Sequence, residues 1–259
     1  MSNKDLKIAV IGLFYFEYFF IPYWQNYYGK LFGFNNLYAI GDLENDFSLK
    51  LFSNVNLINY KPEFILDHHD HTKIIIETQK QLLKSYDVVI FAEADQFFIP
   101  DPNKYLNLSD YLSRNTKDYI KVSGWNVIHD INNEPTYDPT KRILEQRNYW
   151  FKDPGPEDKM VIVRKPAISY GHGFHQSVPN VEPDKDLYNI HMHLFDFDQC
   201  NCRRYIRTAD FKNWHPGSGP NRSGNHVFTK DKDLINTWFN YPLNTTGMQI
   251  IPEKFKKII

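Results

Sequence analysis

The stretch Tyr86–Pro102, YDVVIFAEADQFFIPDP, decides how this chain is read. Asp87–Ala92 is apolar and rich in β-branched and aromatic side chains, the composition of a strand covered on both faces by helices. It ends abruptly in Glu93-Ala94-Asp95. Two carboxylates one residue apart on extended backbone share a side, and hard divalent cations, Mg²⁺ or Mn²⁺, take such oxygens as ligands. Acidic pairs at this spacing are also common on solvated loops. Here the strand before the pair and the apolar Gln96–Pro100 run after it give it a fixed place in a fold.

Working back from that strand, Lys7–Leu13 (KIAVIGL) is a second buried strand. Glu17–Phe32 follows it with Phe20, Trp24, Tyr27, Tyr28 and Leu31 on helical spacing, and Gly33 stops the helix. Leu37–Ile40 is a strand ending at Gly41-Asp42, and Val55–Tyr60 is another. Asp70–Ser85 predicts a helix, capped by Asp70 or Thr72, with Ile75, Thr78, Leu82 and Tyr86 along one face. Strands alternating with helices predict an α/β, doubly wound, Rossmann-like domain with a mostly parallel sheet. In such sheets ligands bind beyond the carboxyl ends of the strands, which here means Asp42 and Glu93–Asp95.

Downstream, strands are predicted at Tyr119–Ser123, Lys159–Arg164 and Leu187–Leu194. Helices are predicted at Asp198–Asp210 and Lys230–Tyr241. Asn132–Pro139 and Lys152–Asp158 have loop composition. Asn213–Asn225 (NWHPGSGPNRSGN) is either a lid or a plain surface connection.

The 259 residues suit one α/β domain spanning 1–259. With 30 basic and 31 acidic side chains there is no basic excess, which argues against a nucleic-acid partner. Cys200 and Cys202 are too close for an ordinary framework disulfide. The apolar run Ile8–Trp24 invites a membrane reading, but Glu17 and Pro22 interrupt it. It is expected to be a strand entering a helix in a soluble, cytoplasmic protein with no integral membrane segment. Aromatic residues make up 16% of the chain, which fits either stacking surfaces for sugars and bases or a compositional bias.

The order of motifs resembles GT-A glycosyltransferases of the broad family-2-like group, including domains related to family 92. The residues that carry the likeness are Glu17, Trp24-Gln25-Asn26-Tyr27-Tyr28, Asp42, Lys73, Gln79, Glu93-Ala94-Asp95-Gln96 and Pro100-Asp101-Pro102. Further on they are Gln146-Arg147, Tyr149-Trp150, Lys159–Pro166, Gly171–His175 and Leu187–Asp196. The likeness spans roughly residues 7 to 205. This chain departs from the pattern at Glu93, where Asp is usual, at Gln96, where an acid is usual, and at Phe16, where Asn is common.

The resemblance implies a GT-A fold with residues 1–102 binding a nucleotide-sugar donor, UDP-sugar favoured, and 103–259 binding a glycan or other hydroxyl acceptor. It implies a DXD-like motif with Asp95 on Mn²⁺ or Mg²⁺, and a downstream His completing the shell. His175, His191 and His193 are the candidates. His191 and His193 share a face if Leu187–Leu194 is a strand, and imidazole favours Mn²⁺. Each His also has an ordinary structural reading. Glu93 is a further donor-site candidate. Lys73, Arg147, Arg164 and Lys165 are candidates for diphosphate, and Asp42 for base or ribose, with a turn Asp as its plain alternative. Inversion is expected by analogy, with Asp130 or Glu145 as base. The competing readings are a metal-dependent hydrolase built on the His/Asp clusters and a non-catalytic GT-A-like carbohydrate-binding protein. Asp67–His71 reads as a helix-start loop, because adjacent residues on extended backbone diverge.

Overall fold

The computed structural model describes residues 6–61, 68–153, 157–210, 238 and 247–259. The fold is α/β, with flanking helices on a mixed central sheet whose N-terminal half is parallel. Strands β1 (Ile8–Leu13), β2 (Leu37–Gly41), β3 (Asn56–Asn59) and β4 (Val88–Phe91) pair in the order β4-β1-β2-β3, all parallel. β1 and β4 are apolar on both faces because α1 (Ile21–Phe32) and α2 (His68–Leu82) pack on this part of the sheet. The predicted strands and helices of the first hundred residues therefore stand, within a few residues at their ends.

One shift matters. The predicted helix at Glu17 begins at Ile21 instead, where Pro22 takes a first-turn position that needs no N–H donor. Residues 14–17 form a loop in which Phe16 has φ 50°, a left-handed conformation that costs a bulky residue energy. The buried Asp46 offsets that cost: its carboxylate accepts from the Phe16 amide at 2.7 Å and from Ser48 N and Oγ. Ser48 Oγ in turn accepts from the Glu17 amide. Glu17 is thus held in a loop rather than on a helix, and its carboxylate faces the centre described below.

Beyond β4 the chain reverses. β5 (Gln96–Pro100) runs antiparallel to β11 (Pro183–Leu194), which lies parallel to β6 (Tyr119–Ile128). β6 also pairs antiparallel with β7 (Tyr149–Lys152) and β8 (Met160–Val163), and β8 joins β4. A short hairpin, β9 (Ser169–Tyr170) and β10 (Ser177–Val178), stands apart from the sheet. α3 (Leu108–Arg114) and α4 (Phe197–Asp210) follow β5 and β11, and β12 (Gln249–Ile250) and the one-turn α5 (Glu253–Lys256) add to the β7 edge. The strand predicted at Tyr119–Ser123 runs five residues further, and β5 and β7 were not foreseen. The predicted helix Lys230–Tyr241, apart from Trp238, and the loop Asn213–Asn225 lie outside the described residues.

α1 holds the β4–β5 connection in place. Trp24 Nε1 donates to Ala92 O, Tyr28 Oη to Gln96 O and Tyr27 Oη to Phe98 O. Asp95 therefore sits on a clamped turn, and its own carbonyl accepts from Met192 N of β11. Apolar side chains from Ile8 to Phe255 form one contiguous core. No helix among the described residues is long and apolar enough to cross a membrane.

Candidate metal centre

β6 and β11 each turn a polar row toward one face of the sheet, where apolar side chains are the norm. Asn189, His191 and His193 come from β11, and Gly124 and Asn126 from β6, with His191 paired to Asn126 in register. Asp95 meets this row from the β4–β5 turn. One ligand atom each from Asp95, His191 and His193 converge within 4.8 Å of one another. The two imidazoles lie nearly parallel, their centroids 5.7 Å apart.

Asp95 divides its two oxygens. Oδ2 accepts from Arg203 of α4 at 3.0 Å, and Oδ1 stands 3.6 Å from His191 Nε2. Arg203 is shared: its Nε and Nη2 also fork onto both oxygens of Glu17, and its guanidinium lies over the Phe20 ring. Across the site, Lys159 Nζ contacts Glu93 at 2.5 Å and Glu157 at 3.7 Å. Glu157 Oε2 also lies 3.3 Å from His191 Nδ1. Among the described residues, four carboxylates, Glu17, Glu93, Asp95 and Glu157, thus face two permanent cations, Arg203 and Lys159. That imbalance in a largely buried space is relieved by an added cation or by charged imidazoles.

Burial alone opposes ionisation of Asp95, yet the Arg203 guanidinium and the two imidazoles overcome it and hold its carboxyl well below the usual range. Burial likewise opposes charge on Glu157, and His191, Lys159 and His175 outweigh it. Lys159, although buried, is pushed up by Glu157 and Glu93 and stays cationic.

A Cβ at Gly124 would fall 2.3 Å from Glu157 Cβ and 2.5 Å from Glu157 C, so only glycine lets residues 157–159 cross β6 this closely. Asp158 accepts from the Gly124 amide and fixes the crossing. Gly124→Ala is expected to cost about 1–3 kcal/mol by overpacking and to displace Glu157 and Lys159 together. A drop in the thermal midpoint checks this, and an unchanged midpoint would mean that the 157–159 segment is loosely held.

The other expected site residues fall elsewhere. Asp42 is a turn former, with Oδ1 taking the Glu44 and Asn45 amides and Oδ2 the Asn45 side chain. Glu93 is adjacent to the centre but bonded to Lys159 and Gln96, outside the converging group. His175 follows the left-handed Gly173-Phe174 pair and acts electrostatically on Glu157. Lys73 is exposed on α2. Arg147 is fully buried and spends its donors on Asp196 and on the carbonyls of Phe195, Pro135 and Gln146, so the phosphate role does not fit its position. Arg164 donates to the Leu112 and Asn115 carbonyls at the end of α3, and Lys165 pairs with Asp118 at the surface.

Neither proposed base stands in the centre. Asp130 accepts from Asn132 and Asn133 within its own turn, and Glu145 is an exposed partner of Arg142. The residues that sequence reading missed are Asn126, Asp153, Glu157 and Arg203. Nothing local marks them, although Asn126 within β6 is a polar interruption that the hydrophobic pattern leaves unexplained. No family model matches the chain, and no curated protein matches it.

Proposed function

We propose that this chain is a metal-dependent glycosyltransferase of the GT-A type, moving a sugar from a nucleoside-diphosphate sugar, UDP-sugar favoured, to a hydroxyl of a glycan or other acceptor. The observation that carries the reading is the convergence of Asp95, His191 and His193 just beyond the carboxyl end of β4. The donor set fits a divalent ion: one ionised carboxylate oxygen and two imidazoles, with Glu17, Glu93 and Glu157 around them. Two nitrogens favour Mn²⁺ over Mg²⁺.

When bound, such an ion neutralises charge on a departing diphosphate. The chain's own residues do the rest. Arg203, locked to Glu17, presents a fixed positive charge beside Asp95. Lys159 supplies a second cation on the Glu93 side. α1 clamps the turn that carries Asp95, so the carboxylate is preorganised rather than recruited. Inversion remains the expected stereochemistry, by analogy with family-2-like enzymes.

Calorimetry with UDP, with and without Mn²⁺, tests the reading. UDP is expected to bind only with Mn²⁺, and nucleoside diphosphate release from a UDP-sugar is expected to accelerate when the acceptor is added. UDP binding indifferent to Mn²⁺ would remove the metal from the function. A second reading is favoured by the same donor set, because two His and one Asp leave coordination positions open for water, as a metal-dependent hydrolase needs. Release of product at a rate independent of any acceptor would select it.

A further inference from the structure

Two residues, Asn126 and Asp153, stand in line behind His191. Asn126 Nδ2 lies 3.1 Å from Asp153 Oδ2. A carboxylate only accepts, so the Asn126 amide must turn its NH₂ toward Asp153. That leaves Asn126 Oδ1, itself only an acceptor, 2.6 Å from His191 Nδ1. Glu157 Oε2, at 3.3 Å, is a second acceptor on the same side of the ring. Two acceptors facing Nδ1 require its hydrogen there, which places the lone pair of the neutral ring on Nε2, directed at Asp95 and His193.

We propose that Asp153 and Asn126 are positioning residues, a relay that fixes the tautomer and ring direction of His191 so that Nε2 is presented as a metal ligand. The inference rests on the reading of Asp95, His191 and His193 as a metal centre. It goes beyond that reading in naming what makes His191 competent. The geometry also accounts for two buried polar side chains, Asn126 on β6 and Asp153 just after β7: Asn126 is 3% exposed and Asp153 7%. Metal-bound histidines commonly have such an outer partner on the second nitrogen, and its loss weakens the site.

The test is Mn²⁺ binding to the whole chain, followed by loss of the free-ion electron paramagnetic resonance signal, with the Co²⁺ visible spectrum as a second readout. Asn126→Leu, close in size, is expected to weaken Mn²⁺ by about 10- to 100-fold. Asp153→Leu, which frees the amide to rotate, should weaken it as well. Asp153→Asn keeps an acceptor and is expected to stay within about threefold of wild type by the same reasoning. The double variant Asn126→Leu/Asp153→Leu should bind no more weakly than Asn126→Leu alone, because both act through one ring. Multiplying losses in the double variant, or an unaltered affinity in Asn126→Leu, would overturn the relay. If Asn126→Leu fails to fold, the contrast between Asp153→Leu and Asp153→Asn decides: equal affinities overturn the proposal. Wild-type protein that takes up no Mn²⁺ would overturn both this inference and the metal centre. Wild type that binds while the variants bind equally well overturns the relay alone.

Discussion

Asp95→Ala is expected to lower turnover of a UDP-sugar by on the order of 10³-fold or more while leaving the chain folded. The loss is large because Asp95 is the one carboxylate in the converging group among the described residues, and under the proposed function it stands on the turn between β4 and β5 where a diphosphate would lie. The fold survives because Arg203 keeps its fork onto Glu17 when Asp95 is gone, so no buried cation is stranded. Stability without metal should therefore fall little. What should vanish is the rise in thermal midpoint expected of the wild type with Mn²⁺, since a ligand that binds only the native state raises its stability by mass action. A midpoint rise that persists in Asp95→Ala would put the ion elsewhere. Turnover that persists would take Asp95 out of the reaction.

Much of the scaffold was legible. β1, β2 and β4 carry continuous apolar runs, and their alternation with α1 and α2 follows from periodicity. The boundary error at Glu17 has a physical cause. Phe16 in a left-handed conformation is held by Asp46, thirty residues away in sequence, and no local pattern reports such a prop. β5 was missed because Gln96–Pro100 is short and ends in proline, features that read as a loop until β11 is there to pair with it.

Within the site, the part legible in sequence is the part set by strand alternation. His191 and His193 share a face because they are two apart on β11, and Asp95 follows a buried strand. The rest depends on tertiary contacts. Arg203 lies in an unremarkable polar stretch, Asn126 interrupts an apolar strand, and Glu157 stands in a Pro-Gly-rich segment. None of them has a spacing that predicts its partner. Arg147 illustrates the opposite error. A lone arginine in a motif suggests a phosphate ligand, but an arginine with five donors also suits a buried junction where several carbonyls meet.

That junction leads to the second large effect, a stability loss of about 3–5 kcal/mol in Arg147→Ala. Asp196 caps α4, accepting from the Gln199 amide through Oδ1, while Oδ2 takes Arg147 Nη2 at 2.6 Å and the Tyr137 amide. His129 Nδ1 accepts from the Phe197 amide beside them. Truncation to alanine would leave the Asp196 charge without its guanidinium and deprive the Phe195 and Pro135 carbonyls of a donor, in a place water does not reach. Lysine would not restore it, because an ammonium lacks the planar fork that spans four acceptors. Urea unfolding is the measurement, with the midpoint shifting and the slope unchanged. A phosphate-binding Arg147 would give the reverse pattern: stability within about 1 kcal/mol of wild type, as for a surface change, and weakened donor binding. The position of the cap adds a consequence for the centre. α4 starts at this junction and carries Arg203 two turns further on, so loosening its first turn also loosens the guanidinium that Glu17 and Asp95 share. Arg147→Ala should therefore weaken Mn²⁺-dependent UDP binding only in proportion to the population of unfolded or frayed chains, and added osmolyte should recover both together.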